Sequence, residues 1–471
     1  MGDQELAEFL RWGAMVGISD APPGFPPCSS CLGHTLCISN FPDAGGRGLA
    51  AARELRKGET ILKVPRRALM CRDSVLEGDK CLAASVERYP HLSPTQVVLA
   101  VCLLSEVCKG RDSQWYPYLI QLPRSYDLLV NFGQFEVQAF QVDDAIYASK
   151  QAVSKVQYDW KEAKRLMEDI SLRPQFLTFR SWLWAFATIS SRTLHIPWDK
   201  AGCLCPVGDL FNYEAPGIDA PTLDNEVNED FNRLTDGGCE EDRNAYCFYA
   251  RQSYSRGEQV LLRYGTYSNL ELLEHYGFLL KHNPNDKVLI QYQSGKLSWT
   301  REALHIQSDG KPSFALLCAM RLSIIPPNQR KAVGHLAHAG LMLSVVNEIA
   351  VMKSLSKLCE DLLSKLPSSM EEDCLLLEAV ENIHSDFLYS HLHSNKDMVV
   401  TDQLNAFLQT HDLKKEHILE LPWPKRAERS LGRWKLAVQW RLGYKKILHS
   451  CIRHCSETIE HLVSDINEPA T

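Results

Sequence analysis

Two stretches decide the fold: PVGDLFNY at 206–213 and GEQVLLRYG at 257–265. The second is a tight glycine turn that leads into an aliphatic strand, and the strand ends at Tyr264. A run with helical spacing follows it and breaks at Gly277, directly after Tyr276. Asn212 closes the apolar segment of the first stretch. The pattern predicts an asparagine and two tyrosines at the ends of neighbouring short elements.

This ordered set resembles the SET-domain protein methyltransferases of the Rubisco large-subunit methyltransferase-like class, and pieces of the likeness recur from Gly45 to Leu448. The resemblance implies an α+β protein with a small β-rich SET fold. In that fold the segment with the asparagine threads beneath the segment with the Tyr-Gly pair and forms a pseudoknot. It also implies a SET domain at 1–295, a helical insertion within it at about 75–200, and an all-helical substrate-binding domain at 296–471. The layout looks closest to the plant SET-domain proteins of this class.

The resemblance also assigns roles to residues. Tyr264 matches the catalytic tyrosine, and Tyr276 matches the second wall of the channel that receives the acceptor side chain. Asp209 matches a position near the substrate, so we expect Asp209, Tyr264 and Tyr276 to contact it. The positions that match contacts to the cofactor, S-adenosylmethionine, are Gly45, Gly46, Arg47, Arg192, Asn212 and Tyr213.

Each of these residues also has a plainer interpretation. Either tyrosine alone would be read as a buried aromatic side chain at the end of a strand or helix. Arg192 could equally be a surface charge after a helix, although its guanidinium fork suits a carboxylate. Tyr213 departs from the family, which usually has histidine after the asparagine. If that histidine is needed to close the site, the change puts catalysis in doubt.

The function that this implies is methyl transfer from S-adenosylmethionine to a lysine of a protein substrate, histone or not. A histidine acceptor stays open, and so does an interaction protein that keeps the fold without transferring methyl groups. The sequence contains no P-loop, Rossmann fingerprint, His-Glu-x-x-His motif or nucleophile elbow. We expect a monomer whose partner is the protein substrate carrying the target lysine.

Composition excludes several classes of protein. The 471 residues exceed one ordinary core, which favours two domains. The net charge of −7 argues against a protein that binds nucleic acid by bulk electrostatics. No apolar run is long enough for a membrane span, and the N-terminus lacks a signal-peptide core. Sixteen cysteines without such a signal predict reduced thiols and a location in the cytosol or nucleus.

Four possible metal ligands, Cys28, Cys31, His34 and Cys37, lie in a loop near the N-terminus. Structural zinc sites usually separate their two pairs of ligands by a longer loop, so this spacing is tight. We favour a packed loop with free thiols and expect no metal.

A short sequence pattern that occurs twice supports a β-rich core built from both ends of one domain. The segment LRKGETIL at 55–62 matches YSRGEQVL at 254–261 in its turn and strand pattern. Each places a glycine where a turn needs a positive φ. The turns therefore predict left-handed backbone at Gly58 and Gly257.

Between and after these segments the pattern is helical. Apolar spacing predicts helices at 94–108, with Ser93 as a cap, and at 139–170, 179–191, 344–366 and 402–413, as well as a long final helix. A last strand is predicted at 288–292. The acidic segment 214–242 is a solvated loop by default, or a negative rim that favours a basic peptide. Lys445, Lys446 and His449 are expected on a solvated face of the final helix, with acidic partners as the alternative.

Overall fold

The computed structural model describes residues 3–22, 24–26, 28–42, 46–92, 96–216, 237–292, 299–383, 398–414 and 423–467. This part of the chain separates into two compact units. The first comprises 1–131, 150–266 and 271–278, and the second comprises 132–149, 267–270 and 279–471. The predicted domain boundary at 295 and 296 stays a prediction. None of the described helices is both long enough and apolar enough to cross a membrane.

Short strands that form small, mostly antiparallel sheets are combined with many helices, which confirms the predicted α+β fold class. The strands are β1 (Leu36–Phe41), β2 (Gly46–Ala51), β3 (Thr60–Pro65), β4 (Thr193–Ile196), β5 (Asp199–Leu204), β6 (Asn212–Tyr213), β7 (Gly237–Glu240), β8 (Ala245–Tyr249), β9 (Leu261–Leu262), β10 (Lys287–Leu289) and β11 (His305–Gln307). The helices are α1 (Asp3–Met15), α2 (Arg72–Gly78), α3 (Lys80–Glu87), α4 (Gln96–Lys109), α5 (Tyr116–Leu119), α6 (Gln134–Gln138), α7 (Asp143–Asp169), α8 (Phe179–Arg192), α9 (Asn269–His275), α10 (Phe314–Ile324), α11 (Arg330–His338), α12 (Val345–Ser364), α13 (Met370–Glu381), α14 (Met398–Thr410) and α15 (Lys425–Asn467).

The sheets of the first unit are small and mostly antiparallel. β1 pairs with β2, β4 pairs with β5, and β3, β8 and β7 form a three-stranded sheet in that order. β6 pairs with β9 in parallel, which brings Asn212 opposite Leu261. This pairing places the segment with the asparagine beside the strand that leads to Tyr264, as the predicted pseudoknot requires.

The two similar turn-and-strand segments, 55–62 and 254–261, connect the early and late parts of the first unit. Leu55 and Tyr254 exchange backbone hydrogen bonds of 2.9 and 3.1 Å, and Ala50 of β2 bridges to Gln259. Gly58 and Gly257 adopt φ of 82° and 85°, so both predicted left-handed positions are confirmed. The inference that early and late segments build one core therefore holds.

Predicted helices differ from the observed ones mainly at their ends. The run predicted at 139–170 begins later, as α7, after the separate short helix α6, and the run predicted at 402–413 begins earlier as α14. α4 begins at Gln96, and its predicted cap Ser93 lies outside the described residues. Of the predicted strand 288–292, pairing extends only over β10, whose partner β11 lies inside the region predicted to be all-helical.

Helices α6, α13, α14 and α15 of the second unit enclose buried aromatic side chains and one buried charge cluster. The Phe407 and Trp434 rings stack with centroids 5.0 Å apart. Arg441 and Lys445, both on α15, each contact the carboxylate of Asp373, at 2.6 and 2.5 Å. The exposed position predicted for Lys445 is therefore wrong, because this side chain is only 2% exposed and is paired inside the unit. Lys446 is exposed, as predicted.

The N-terminal loop that contains the possible metal ligands is organised by a carboxylate. Oδ2 of Asp20 accepts hydrogen bonds from four successive backbone N–H groups, those of Gly33, His34, Thr35 and Leu36, at 2.8–3.0 Å. Burial, and then the charge of Asp20, raise the pKa of Cys31 to about 12, which keeps it a thiol rather than a metal-binding thiolate. Among the described residues no group of His, Cys, Asp or Glu is arranged to hold a metal ion.

Candidate active site

Tyr264 and Tyr276 lie side by side in the first unit, with ring centroids 5.3 Å apart. Both line a narrow cavity, and its other lining residues are Ser191, Arg192, Thr193, Leu194, Gly208 and Asp209. The hydroxyl of Tyr264 donates a hydrogen bond to the carbonyl oxygen of Phe211, the residue before Asn212. Burial is the main cause that raises the pKa of Tyr264, so its hydroxyl stays protonated at neutral pH. The two tyrosines are thus brought together at the cavity.

Asp209 lies in a short 3₁₀ turn, Gly208–Leu210, that follows a strained residue. Val207 before it has φ of 70° and is fully buried, a conformation that β-branched residues rarely adopt. The Asp209 carboxylate accepts from Nη1 of Arg192 at 3.0 Å and from the hydroxyl of Tyr118 at 2.8 Å. Its side chain is 2% exposed, so the cavity contains a buried carboxylate whose Oδ2 atom accepts both hydrogen bonds.

Arg192 is the last residue of α8, and its Nη1 atom makes two hydrogen bonds to Asp209. Besides the carboxylate, it donates to the Asp209 carbonyl oxygen at 3.1 Å. Burial lowers the pKa of Arg192, but the charge of Asp209 and the nearby Tyr126 and Tyr118 hydroxyls outweigh it, and the net pKa is raised. The guanidinium is therefore permanently charged. Its predicted role as a direct cofactor contact stays a prediction, whereas its pairing with Asp209 is observed.

Tyr213 packs in the same aromatic group. Its ring lies 5.3 Å from that of Tyr264 and 6.0 Å from that of Phe278, measured between centroids. Its hydroxyl donates to the carbonyl oxygen of Gly265 at 2.8 Å. The tyrosine that stands where the family usually has histidine therefore fixes the backbone next to Tyr264.

Asn212 is the residue that best fits a bound group. Its Nδ2 atom is buried and has no hydrogen-bond partner among the described residues. Gly48 of β2 approaches it so closely that a Cβ there would lie 2.5 Å from this atom. A buried amide donor left without a partner is costly, so a ligand that accepts from it would recover that free energy. This arrangement fits the amino-acid end of S-adenosylmethionine, which the resemblance assigns to Asn212.

The sequence also predicts cofactor contacts for Gly45, Gly46 and Arg47. Gly45 lies outside the described residues. Gly46 begins β2 with φ of 79°. Arg47 donates to the side-chain and backbone oxygens of Gln121, at 3.2 and 3.1 Å. Burial, and then the charge of Arg192, lower the pKa of Arg47, so the two cations are close enough to affect each other.

The sequence pattern does not predict two contributors to this site. Tyr118, which bonds to Asp209, comes from the helical insertion and lies 91 positions before it. The Tyr-Pro-Tyr sequence around it carries no signal for this contact, because the fold alone brings the two residues together. Gly48, which makes room for Asn212, lies in β2, and the local sequence pattern there does not point to the asparagine.

Comparison with known proteins finds a family profile and relatives that match this chain. The Rubisco LSMT substrate-binding family profile matches residues 283–448. Protein SET DOMAIN GROUP 40 of Arabidopsis thaliana is 49% identical over 98% of this chain and 97% of its own length. Actin-histidine N-methyltransferase of Gallus gallus is 25% identical over 99% of this chain and 71% of its own length.

Solved structures agree on the fold. The SET domain of LSMT bound to lysine and AdoHcy is similar with a TM-score of 0.59 and 18% identity, over 98% of this chain and 93% of that one. Rubisco LSMT bound to AdoMet is similar with a TM-score of 0.57, over 99% and 97% of the two chains. The chain therefore belongs to the SET-domain family of S-adenosylmethionine-dependent protein methyltransferases, in the Rubisco LSMT-like class.

Proposed function

We propose that this methyltransferase modifies a lysine side chain of a protein substrate. The observation that carries the proposal is the pair of facing tyrosines, Tyr264 and Tyr276, in one narrow cavity with Asp209. Two aromatic walls suit a slender aliphatic side chain that ends in an amine. S-adenosylmethionine supplies the methyl group, and the protein supplies alignment, which is worth up to roughly 7–11 kcal/mol for well-held reactants.

The acceptor amine has to be neutral before it can attack. Asp209 is the one carboxylate among the described residues lining the cavity, and Arg192 and Tyr118 already occupy it. Tyr264 keeps its proton, because burial raises its pKa. We therefore infer that the cavity contributes no strong base, and that desolvation in the cavity lowers the pKa of the amine itself. Tyr264 then orients the amine, while Asn212 and the glycine-rich start of β2 hold the cofactor.

A histidine acceptor is the second candidate, because a relative aligned over almost the whole chain is named actin-histidine N-methyltransferase. The two acceptors differ in how their reactivity depends on pH. A lysine has an ordinary pKa near ~10.4 and a histidine near ~6.5. Methylation of lysine should become faster up to alkaline pH, whereas methylation of histidine should level off close to neutral pH.

The experiment uses labelled S-adenosylmethionine and a cell lysate, with the wild type beside Tyr264→Phe. Labelled proteins seen only with the wild type would support the proposal, and hydrolysis of a labelled band would identify the methylated amino acid. Equal labelling by the variant would show that the Tyr264 hydroxyl does not orient the amine. If neither protein labels anything although calorimetry shows cofactor binding, the interaction-protein alternative gains support. Loss of that binding in Asn212→Ala would still assign the cofactor site.

We further propose that the protein acts as a monomer in the cytosol or nucleus. The acidic rim predicted at 214–242 lies mostly outside the described residues, and a preference for basic peptides around the acceptor stays a prediction. Replacing several of its acids with serine should raise the KM for the substrate.

A further inference from the structure

Large apolar side chains of the second unit are exposed close to one another in the chain. Leu341 and Met342, between α11 and α12, are 54% and 44% exposed, and Val346 in the first turn of α12 is 77% exposed. Phe314, the first residue of α10, is 51% exposed, and its ring lies against Gly340. The Phe314 ring therefore lies beside the loop backbone that leads into Leu341. We refer to Phe314, Leu341, Met342 and Val346 as the docking surface.

A buried ion pair fixes the loop that carries this surface. Nε and Nη2 of Arg321 each donate to the Glu348 carboxylate at 2.8 Å. Nη1 of the same guanidinium donates to the carbonyl oxygens of Gly340 and Leu341, at 3.0 and 3.3 Å. Both charged side chains are about a tenth exposed or less. The backbone at Leu341 is thus held firmly while its side chain stays in solvent.

Fixing apolar side chains in water has no benefit for folding. Several large apolar side chains exposed in one segment commonly mark an interaction site. Three members of the docking surface, leucine, methionine and phenylalanine, offer large contact areas, and methionine adapts well to varied partners. The rigid loop also lowers the conformational entropy lost on binding.

The chain segment that carries the docking surface is basic. No Asp or Glu occurs between Asp309 and Glu348, although the chain contains 58 acidic residues in 471 and has a net charge of −7. Within this acid-free segment Arg330 and Lys331 are exposed at the start of α11. Arg330 donates only to backbone oxygens in the described structure, those of Ile325 and Ser323 at 3.0 and 3.2 Å. Its charge is therefore available to an acidic partner.

We propose that the docking surface binds an acidic amphipathic segment of a protein partner. The apolar side chains of the segment would cover Phe314, Leu341, Met342 and Val346, and its carboxylates would pair with Arg330 and Lys331. Complementary charge would then select the partner and apolar contact would retain it. Binding needs no methyl transfer, so this inference stands apart from the proposed acceptor chemistry.

The test measures fluorescence anisotropy with the full-length protein and two short synthetic peptides. Both carry Leu and Phe at helical spacing, and the intervening positions are Glu and Asp in one peptide and Lys in the other. We expect the acidic peptide to bind at least about tenfold more tightly than the lysine peptide. High salt should weaken binding of the acidic peptide.

Three variants locate the binding. Leu341→Ser with Met342→Ser should weaken binding of the acidic peptide about tenfold or more. Arg330→Gln with Lys331→Gln should weaken it and remove most of its salt dependence. Tyr158→Ser, on a side chain that is 64% exposed in the first unit, is the matched control and should bind as the wild type does.

All substituted side chains are exposed, so thermal unfolding should show that the variants are folded. S-adenosylmethionine binding by calorimetry should be unchanged in them, which separates failure of docking from failure of the cofactor site. Equal binding of the two peptides, no binding of the acidic peptide by the wild type, or unchanged binding in the serine variant would each overturn the proposal.

Discussion

The hydroxyl of Tyr213 donates a 2.8 Å hydrogen bond to the carbonyl oxygen of Gly265, the residue that follows Tyr264. The same side chain packs its ring against that of Tyr264. One residue of β6 thus restrains both the backbone after Tyr264 and the ring of Tyr264 itself. The departure from histidine is consistent with a working site in which tyrosine positions its neighbour.

Tyr213→Phe keeps the ring contacts and removes only this hydrogen bond. A neutral hydrogen bond is worth about 0.5–1.5 kcal/mol, so we expect methyl transfer about two- to thirteenfold slower, with little change in cofactor affinity. The measurement is the initial rate of label transfer to the protein band that the wild type modifies. Tyr158→Phe, at an exposed position, is the control. A rate equal to that of the wild type would show that the restraint does not affect catalysis.

Asn212→Ala should weaken binding of S-adenosylmethionine without lowering the stability of the free protein. Since the Nδ2 atom has no partner among the described residues, its removal should leave the unfolding temperature of the free protein nearly unchanged. The dissociation constant for S-adenosylmethionine should rise by about tenfold or more, as measured by calorimetry. A large loss of stability without loss of affinity would contradict the assignment.

Gly48→Ala tests the same contact from the other side. The added methyl group would lie 2.5 Å from Nδ2 and 3.3 Å from Cγ of Asn212, so the asparagine must move. We expect a comparable loss of cofactor affinity, together with some loss of stability from crowding. Gly238→Ala is the matched control, because a Cβ there meets no atom within 4 Å. If Gly48→Ala binds the cofactor normally, the close approach has no functional weight.

Asp20→Ala should destabilise the first unit. The carboxylate oxygen satisfies four backbone donors, of which those of Thr35 and Leu36 are buried, and leaving these two unpaired should cost about 3 kcal/mol in the free energy of unfolding. Urea unfolding measures this, with the exposed Asp112→Asn as control. A zinc chelator should leave the wild type unchanged. A stabilising effect of added zinc would instead favour the metal interpretation of the cysteines.

Because of Lys445, the free energy of unfolding of the second unit should depend on pH in the alkaline range. Burial is the largest cause acting on this amine, and despite its contact with Asp373 its pKa is lowered from the ordinary 10.5. Between the lowered pKa and 10.5 the unfolded chain binds more protons than the folded one. The free energy of unfolding should therefore rise with pH across that window.

The comparison is between wild type and Lys445→Met in urea titrations from neutral pH to the upper end of that window. The stability of the wild type relative to the variant should increase as pH rises. Lys446→Met, at the exposed neighbouring position, corrects for general effects of lysine removal and should follow the wild type. A relative stability that falls with rising pH would mean that the fold favours the charged amine.

The sequence predicted the fold class through its resemblance to a known family, and it singled out Tyr264, Tyr276 and Asp209, which the structure brings together at one cavity. Asn212 and Tyr264 stand at the ends of short apolar strands, and the two similar glycine turns indicated a core built from both ends of the unit. What it missed depends on partners far along the chain. Tyr118 bonds to Asp209 across 91 positions, and Lys445 meets Asp373 across 72. Apolar periodicity shows which face of a helix is buried, but not that a lysine on that helix has a buried counter-charge.

The bridge between Ala50 and Gln259 sets the order of events during synthesis. Leu49 and Ala51, which are fully buried in the folded protein, hydrogen-bond through their backbones to Val260 and Glu258. At about 5–20 residues per second, a ribosome adds the segment up to Gln259 roughly 10–40 s after Ala50. During that interval β2 has no partner on this edge, and the cofactor site around Asn212 and Gly48 does not exist. Fragments of the chain that end before Gly257 leave this edge of β2 without its partner, and we expect them to be insoluble rather than merely inactive.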